Sequence, residues 1–506
     1  MMRTLLLLAL LIITTDPAWA GSKDAAARGD FQEETITVPI LGRVTTYHPL
    51  PLRRARGVVL FVSGDGGWKL GVLGMAKRLA GEAVVVGISM PAWQEIAEKQ
   101  KSPCWYPAGE LEAIAQAVEK IYKFPEYVRP VLVGYSSGAT VVYGALVQAP
   151  RGSFAGGVSL GFCPDLEVRR PVCGQGEWKP TYDPVKHRSM LPLPSVDLSG
   201  PEGAPGWIAL QGKVDQVCDA NAMSRFVEEV RGGKMILLPK VGHGFGVTRN
   251  WGSSFDEAVG SFLEGGSIWE TRRGKEPSKA PNRAPEEINR RIDSLNLPLV
   301  VTWPESAKGV LIFLSGDGGW MELDQEVASH LHDAGVAVIG WSTLRYFWGE
   351  RTPAEFRRDL ARVAGSLPEE TPLFAGGYSF GAEVVAVTLS QAEERTGPLG
   401  RIPGLILLGP GRYATFEVSP LDWIFSSATP TAHPVRPALE SATGLDVLCL
   451  ESGSPADSGC PQEPRSGLTR LHLRGSHHFG GDYEALARRI AAFMAAPDRP
   501  DGDSSP

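Results

Sequence analysis

The sequence has no excess of basic residues. Its 506 residues include 50 Lys and Arg against 57 Asp and Glu, so the formal net charge is -7 at pH 7. Proteins that bind nucleic acid usually have a basic surface. Proteins that bind anionic lipid by charge alone need a polybasic segment. The composition favours neither, and we predict that nucleic acid is not a partner.

Long apolar runs are also missing after the N-terminal segment. No later segment approaches the ~18 continuous apolar residues that a transmembrane helix requires. At the start of the chain, Arg3 precedes a short apolar run from Leu5 to Ile13, and small residues follow at Ala18 and Ala20. This order is typical of a secretory signal peptide rather than of a buried first helix. We predict cleavage after Ala20 and a mature chain without a transmembrane segment.

Cysteine is scarce, and no cysteine spacing resembles a zinc site, so neither a metal nor another cofactor is expected. The six cysteines of an exported chain instead suggest disulfides, although sequence alone cannot decide their connectivity. The alternative is that some remain buried as small apolar thiols. The pairs that the spacing favours are Cys163 with Cys173 and Cys449 with Cys460, which leaves Cys104 and Cys218 to close a long loop.

One short stretch occurs twice in the chain. LFVSGDGGW runs from Leu60 to Trp68, and IFLSGDGGW runs from Ile312 to Trp320. A repeat at this distance indicates two copies of one domain rather than a solenoid. In each copy an apolar strand precedes the loop, and further helices and buried strands alternate after it. This alternation predicts a mostly parallel sheet with helices on both faces.

Composition divides the chain further. The stretch between the two copies lacks apolar periodicity and is rich in Pro, Lys and Arg, which is typical of a solvated linker. The C-terminal residues are polar and rich in Pro and Asp, which predicts disorder. The predicted organisation is a signal peptide (1–20), an N-terminal domain (21–264), a linker (265–291), a C-terminal domain (292–496) and a disordered tail (497–506).

A Gly-x-Ser-x-Gly motif occurs once in each copy, as GYSSG around Ser136 and as GYSFG around Ser379. Each motif follows an apolar strand and precedes a helical stretch, which is the context of a nucleophile elbow. An ordinary strand-to-helix turn needs neither the two glycines nor the central serine. We therefore predict two tandem α/β-hydrolase-fold domains with Ser136 and Ser379 as nucleophiles.

A serine nucleophile needs a histidine base and an acid that orients it. In this fold the order along the chain is serine, acid, histidine. Asp215 and His243 follow Ser136 in that order. Asp215 lies near the end of a predicted strand, and His243 lies in a Gly-rich loop. They are the predicted acid and base of the N-terminal site.

The C-terminal copy offers alternatives for both partners. Asp457 follows Ser379 at nearly the interval that separates Asp215 from Ser136, and a cysteine lies three positions after each aspartate. Glu451 is the second candidate for the acid because it ends the preceding strand. Aligning GHGF with SHHF favours His477 over His478 as the base.

Acyl transfer also requires N–H donors that stabilise an oxyanion. One donor is expected from the residue after each nucleophile and the other from the repeated SGDGGW loop. Two other roles are open for the aspartates of that loop: capping of the next helix or attraction of a cationic substrate group. The candidate oxyanion residues are Gly64, Asp65 and Ser137 in the first copy and Gly316, Asp317 and Phe380 in the second.

The second copy carries four motifs that together resemble the VirJ/AcvB bacterial virulence protein family over about residues 295–495. This resemblance implies a periplasmic α/β-hydrolase, associated with virulence and acid tolerance, that acts on aminoacylated phosphatidylglycerol such as the lysyl or alanyl form. It also implies that Ser379 is the nucleophile and His477 the base. The first copy lacks the LRYFW motif and has Ser137 where the second has Phe380. The four motifs are FLSGDGGW, STLRYFW (342–348), GGYSFGAEVV (376–385) and GSHHFGGDY (475–483).

Three functions are therefore open at this stage. The first is a serine hydrolase that cleaves the aminoacyl ester of a phospholipid at the membrane surface. The second is an esterase or peptidase of small substrates, which the same side chains would serve equally well. The third is a non-catalytic scaffold of the cell envelope or of a secretion complex.

Overall fold

The computed structural model describes most of residues 30–495. The predicted signal peptide, the predicted tail and most of the predicted linker lie outside the described residues. No helix in the described part of the chain is long and apolar enough to cross a membrane. Within 30–495, the positions left out are 70, 103, 169, 175–188, 201–203, 205, 264–266, 270–283, 392–394, 419–431, 453, 454, 474 and 476.

The N-terminal half is built on a sheet whose central strands are apolar on both faces. Among the described residues this sheet has eight strands in the order β1-β2-β4-β3-β5-β6-β9-β10. β1 and β2 are antiparallel at one edge, and the strands from β4 to β10 run parallel. The strands are β1 Phe31–Val38, β2 Gly42–Pro49, β3 Val58–Val62, β4 Val84–Ile88, β5 Val131–Tyr135, β6 Gly156–Leu160, β7 Asp165–Val168, β8 Ser189–Pro192, β9 Trp207–Gly212 and β10 Gly233–Leu238.

Helices cover both faces of this sheet because its buried strands leave apolar side chains on either side. One apolar core lies between the sheet and the four helices that follow β4, β5 and β9, and another lies on the opposite face. β7 and β8 form a separate antiparallel pair. The helices are α1 Gly71–Leu79, α2 Met90–Lys99, α3 Pro107–Ile121, α4 Ser137–Gln148, α5 Ala220–Glu229 and α6 Gly252–Gly260, with short 3-10 turns at Leu52–Arg54 and Thr248–Asn250.

The C-terminal half repeats this architecture. Its main sheet, within the part of the chain that is described, has seven strands in the order β11-β13-β12-β14-β15-β18-β19. β11 is antiparallel to β13, and the other neighbours are parallel. The strands are β11 Leu299–Thr302, β12 Gly309–Leu314, β13 Val336–Trp341, β14 Leu373–Tyr378, β15 Gly404–Leu408, β16 Tyr413–Ala414, β17 His433–Pro434, β18 Asp446–Glu451 and β19 Leu468–His472.

Apolar cores again lie on both faces of the sheet. The prediction of two α/β domains, each a mostly parallel sheet covered by helices on both faces, is confirmed. The helices are α7 Glu286–Ser294, α8 Glu322–Asp333, α9 Thr343–Tyr346, α10 Pro353–Gly365, α11 Phe380–Leu389, α12 Val435–Glu440 and α13 Tyr483–Ala495, with short 3-10 turns at Gly397–Arg401 and Phe479–Gly481.

The end of the predicted linker is a helix instead. α7 begins at Glu286, inside the stretch assigned to the linker, and its Ile288 and Ile292 are buried in the core of the C-terminal domain. An i, i+4 pair of isoleucines is enough to hold one helical face against a core. The surrounding charged residues hide this pair in the sequence, so the C-terminal domain begins earlier than position 292.

All six cysteines form disulfides, and one of the three predicted pairs is confirmed, Cys449–Cys460. The pairs Cys163 with Cys173 and Cys104 with Cys218 are wrong. The neighbouring parallel strands β6 and β9 end at the same edge, which brings Cys163 and Cys218 together. Cys104 and Cys173 instead flank a backbone bridge between Trp105 and Val172, and they bond to each other.

The two domains are in direct contact through α3 and the loop that follows it. Lys120 on α3 forms an ion pair with Glu417 at 2.9 Å. The indole Nε1 of Trp348 donates a hydrogen bond to the carbonyl oxygen of Phe124 at 3.0 Å. Tyr127 is buried within the apolar core of the C-terminal domain. Trp348 belongs to the LRYFW motif that the first copy lacks, so this motif serves the contact between the domains.

Candidate active sites

Both predicted nucleophiles lie on strained turns. Ser136 has φ 56° and ψ -124°, and Ser379 has φ 51° and ψ -120°. Such positive φ values are costly for a residue with a side chain and are held only by tight surroundings. Each serine immediately follows a central parallel strand and precedes a helix, α4 or α11. Both predicted nucleophile elbows therefore have the expected backbone geometry.

The glycines of the motif make these turns sterically accessible. A Cβ atom on Gly134 would lie 2.3 Å from the carbonyl oxygen of Gly138. A Cβ atom on Gly138 would lie 2.4 Å from the carbonyl oxygen of Ser63, at the end of β3. Backbone atoms cannot move aside as a flexible side chain can. The helix can therefore approach the strand this closely only because both positions are glycine.

The N-terminal site forms a complete chain of hydrogen bonds. Nε2 of His243 lies 3.0 Å from Oγ of Ser136, and Nδ1 lies 2.9 Å from Oδ2 of Asp215. The Asp215 carboxylate is buried and also accepts hydrogen bonds from Nε2 of Gln211 at 2.9 Å and the backbone N–H of Val217 at 2.8 Å. These donors fix the carboxylate opposite the imidazole, which is the arrangement that activates a serine.

The C-terminal site brings together only two of its predicted members. Nε2 of His477 lies 2.9 Å from Oγ of Ser379. Asp457 lies on an exposed turn, and among the described residues no carboxylate forms a hydrogen bond with His477. Glu451, the second candidate, is buried and accepts a hydrogen bond from Nε of Arg470 at 2.8 Å. The site as described is a serine–histidine pair.

The two histidines nevertheless occupy equivalent places. A Cβ atom on Gly161, after β6, would lie 3.2 Å from Cε1 of His243. The corresponding distance from Gly409, after β15, to Cε1 of His477 is 3.0 Å. His478 lies within reach of the Tyr378 hydroxyl rather than of Ser379. The structure thus places His477, which the alignment of GHGF with SHHF favours, beside the serine.

The protein lowers the proton affinity of the second histidine. Desolvation by the surrounding protein, with a smaller contribution from the adjacent His478, lowers the pKa of His477 to about 4. Part of the His477 surface is still open to solvent. A neutral imidazole with a free electron pair at Nε2 can accept the serine proton at pH 7.

The repeated SGDGGW loops lie directly against the nucleophiles. A Cβ atom on Gly64 would lie 2.9 Å from Cβ and 3.4 Å from Oγ of Ser136. A Cβ atom on Gly316 would lie 3.8 Å from Cβ of Ser379. These glycines are therefore placed where loop N–H groups could stabilise an oxyanion, together with the first residue of each following helix, Ser137 or Phe380.

The aspartates of the loops have different surroundings. Asp65 is exposed, whereas Asp317 is half-buried. The alternative that Asp317 caps the next helix is not what the structure shows, because α8 begins at Glu322 and Oδ2 of Asp324 accepts the N–H of Met321 at 3.0 Å. The structure therefore does not support the capping role for Asp317.

A pocket opens beside the first nucleophile. It has a volume of about 330 Å³, and its walls include Gly64, Met75, Tyr135 and Ser136. The SGDGGW loop and Ser136 both line this pocket, which is large enough for a small acyl group.

The C-terminal half also has a recognisable sequence. Residues 308–497 match the family model of VirJ, described as a bacterial virulence protein. We call the C-terminal domain the VirJ domain after this match. The match does not include the N-terminal domain, and the search of curated proteins finds no match for the chain. Each of the two domains has a mostly parallel sheet and a nucleophile elbow, so both have the α/β-hydrolase fold.

Solved structures with a similar arrangement are hydrolases of low sequence identity. A dienelactone hydrolase from Anabaena variabilis is 15% identical, with 39% of this chain and 89% of that chain covered at a TM-score of 0.28. An α/β serine hydrolase without a lid from Xanthomonas campestris is 18% identical, with coverage of 46% and 96% and a TM-score of 0.27. A membrane phospholipase A, described as a bacterial virulence factor, is 13% identical, with coverage of 48% and 87% and a TM-score of 0.29.

Sequence reasoning missed several residues that shape these sites. The tyrosine before each nucleophile donates a hydrogen bond to the backbone of the histidine, from Tyr135 to His243 at 3.0 Å and from Tyr378 to His477 at 3.4 Å. The repetition of Tyr in both GYSxG motifs was the signal. Glu112, on α3 of the N-terminal domain, lies beside the VirJ domain's loop. No local pattern could have indicated it, because it belongs to the other domain.

Proposed function

We propose that the protein is a serine hydrolase of carboxylic esters. The observation that carries this proposal is the hydrogen-bonded series of Ser136, His243 and Asp215 on a strained elbow that opens into a pocket. The fold does not need a buried carboxylate, an imidazole and a serine hydroxyl hydrogen-bonded in this order. Acyl transfer does require these three groups. The second serine and histidine repeat the arrangement in the VirJ domain.

The proposed reaction at the N-terminal site begins with attack of Ser136 Oγ on the ester carbonyl carbon. Nε2 of His243 takes the serine proton, and Asp215 stabilises the imidazolium that forms. The N–H of Ser137 and an N–H of the loop at Gly64 or Asp65 stabilise the oxyanion. The imidazolium then protonates the leaving alkoxide, and water, deprotonated by His243, hydrolyses the acyl-serine and regenerates Oγ–H.

At the VirJ domain's site, Ser379 and His477 would perform the same steps. The N–H of Phe380 and a loop N–H at Gly316 or Asp317 would stabilise the oxyanion. The low pKa of His477 keeps its Nε2 unprotonated at pH 7, but it also makes the imidazole a weaker base than an ordinary histidine. Without an acid at Nδ1 the imidazolium is less stabilised, so we expect slower proton transfer here than at Ser136.

For the substrate we propose the aminoacyl ester of aminoacyl-phosphatidylglycerol, in its lysyl or alanyl form, at the periplasmic membrane surface. The VirJ domain and the resemblance of its motifs support this proposal. The three disulfides are in keeping with an oxidising compartment such as the periplasm. Hydrolysis would release the amino acid and restore the negative charge of the lipid headgroup.

The test uses vesicles that contain lysyl-phosphatidylglycerol and the full-length chain. We expect release of lysine by the wild type, reduced release by Ser136→Ala and by Ser379→Ala, and none by the double variant. A serine remote from both sites provides the control: Ser261→Ala removes only a hydroxyl that bonds the carbonyl of Ala258, and should leave release unchanged.

Other outcomes would separate the competing functions. Cleavage of small soluble esters without release of lysine from vesicles would favour a general esterase over the lipid proposal. A fluorophosphonate probe that fails to label the wild type at either serine would contradict hydrolysis altogether and favour a scaffold.

A further inference from the structure

Helix α3 of the N-terminal domain reaches the oxyanion loop of the VirJ domain. Glu112, on α3, has only 8% of its surface exposed. Its Oε1 lies 3.7 Å from the position that a Cβ atom on Gly318 would occupy. Gly318 is in the SGDGGW loop, two residues after Gly316. A carboxylate of one domain thus faces the loop that adjoins the nucleophile of the other.

Oε1 of Glu112 is buried and has no hydrogen-bond partner. A buried acceptor without a donor costs free energy, and the cost is larger for a charged group. Native proteins usually satisfy such atoms. An acceptor kept unsatisfied beside a catalytic loop points to a donor that arrives with the substrate.

The electrostatics of Glu112 support this reasoning. Burial, and then the negative charge of Asp317, raise the pKa of Glu112 to about 8. At pH 7 the Glu112 carboxyl group is therefore mostly protonated in the free protein. A cation beside Glu112 and Asp317 would favour the ionised form of Glu112.

The loop that carries Asp317 lies near the reacting serine. A Cβ atom on Gly316, immediately before Asp317, would lie 3.1 Å from the Tyr378 ring and 3.8 Å from Cβ of Ser379. Tyr106, at the start of α3, also interacts electrostatically with Tyr378. The beginning of α3 therefore lies near the SGDGGW loop and Tyr378 of the VirJ domain.

We propose that Glu112 and Asp317 together form a subsite, shared between the two domains, for a primary ammonium group on the acyl part of the ester that Ser379 cleaves. An ammonium group carries three N–H donors and one positive charge, so it can satisfy the buried Oε1 and both carboxylates at once. Among the described residues no group of three or more potential ligands could hold a metal ion. The inference rests on the proposed ester hydrolysis at Ser379.

The subsite gives the N-terminal domain a second role. Besides carrying its own serine, it selects the acyl group that the VirJ domain accepts. Glu112 is then a specificity-determining residue supplied by one domain to the site of the other.

The test compares two esters that differ only in the ammonium group: the glyceryl esters of 6-aminohexanoate and of hexanoate. The full-length Ser136→Ala variant isolates the second site, and release of each acid is followed by chromatography. Glu112→Gln keeps the shape of the side chain and removes its charge. We expect it to lower kcat/KM for the amino ester about tenfold, as for loss of one charged hydrogen bond, and to change that for hexanoate less than about twofold.

A matched control lies on the same helix. Glu119 is also buried on α3 and its Oε1 also lacks a hydrogen-bond partner, but its Oε2 accepts the N–H of Val128 at 3.0 Å, in the loop after α3 and not in the SGDGGW loop. Glu119→Gln in the same background should leave the ratio of the two rates unchanged. Asp317→Asn should lower the ratio in the same direction as Glu112→Gln.

The failures are distinguishable. Equal rates for the two esters in the Ser136→Ala background, unaltered by Glu112→Gln, would overturn the ammonium subsite and leave ester hydrolysis at Ser379 intact. Absence of hydrolysis of either ester in that background would overturn hydrolysis at Ser379, and the subsite with it.

Discussion

At the scale of single residues, the two sites differ in one group. Asp215 is buried and held by three donors, whereas Asp457 lies on an exposed turn away from His477. An acid that holds the imidazole fixes both its tautomer and its orientation. The two sites therefore offer an internal comparison of a serine–histidine pair with and without its acid.

This comparison gives the first prediction. In a Ser379→Ala background, Asp215→Asn should lower kcat by about 10³–10⁴-fold, because the imidazole loses the carboxylate that stabilises its protonated form. In a Ser136→Ala background, Asp457→Asn should change kcat less than about twofold, because surface substitutions away from a site have small effects. Hydrolysis of a soluble ester measures both. A large loss with Asp457→Asn would mean that this side chain reaches His477 during turnover.

The second prediction concerns pH. Since desolvation by nearby protein atoms and the adjacent His478 lower the pKa of His477 to about 4, its Nε2 loses its ability to accept a proton only below about pH 4. We expect the acid limb of the kcat profile of Ser136→Ala to have its midpoint near that pH rather than near 6.5, the usual value for histidine. His478→Asn should move the midpoint to higher pH. A midpoint near 6.5 in Ser136→Ala would contradict the desolvation of His477.

At the scale of elements, parallel strands determine which distant segments meet. The carboxyl ends of β5, β6 and β9 lie at one edge of the sheet, and Ser136, Gly161 and Asp215 follow them. The Cys163–Cys218 disulfide joins the segments after β6 and β9, and the N–H of Cys218 bonds Oδ1 of Asp215 at 3.0 Å. The disulfide therefore helps to fix the position of Asp215 relative to His243.

The third prediction follows from this crosslink. Replacing Cys163 and Cys218 together by alanine should lower stability by about 2–4 kcal/mol. Hydrolysis at Ser136 should fall more than hydrolysis at Ser379, because only the first site contains Asp215. The Cys449–Cys460 bond closes a separation of 11 residues instead of 55, so its double replacement should cost less, since shorter loops lose less entropy. Thermal unfolding measures both variants. Equal losses would exclude loop length as the cause.

The elements that the sequence predicts correctly are those whose signal lies in neighbouring residues. The repeated loop, the apolar strands and the GYSxG turns need only neighbouring residues, and the structure shows each as a strand, loop or elbow. The α7 helix was hidden because its two isoleucines lie among charges. The disulfide partners and the surroundings of Asp457 depend on which strand ends lie side by side, which spacing along the chain does not determine.

At the scale of the whole molecule, the docking of the two domains depends on Trp348. Its indole donates to the carbonyl of Phe124, its ring lies 5.6 Å from that of Tyr127, and it is 6% exposed. Burial of an aromatic ring is a major contribution to an interface. The ion pair of Lys120 with Glu417 is partly exposed and should contribute little.

The fourth prediction tests this docking. Trp348→Ala should destabilise the VirJ domain by about 3–5 kcal/mol, as for other buried aromatic residues, and should separate the unfolding of the two domains into two calorimetric transitions. Glu417→Gln is the matched control and should shift stability by less than about 1 kcal/mol. A single unchanged transition in Trp348→Ala would show that other contacts hold the domains together.

The reach of α3 across the domain boundary has an evolutionary consequence. Copies of a duplicated gene segment usually diverge independently, and one that loses its own turnover is free to decay. Under the proposed shared subsite, a substitution of Glu112 would change hydrolysis at the neighbouring Ser379. The N-terminal domain would then be retained even in a protein whose Ser136 had been replaced.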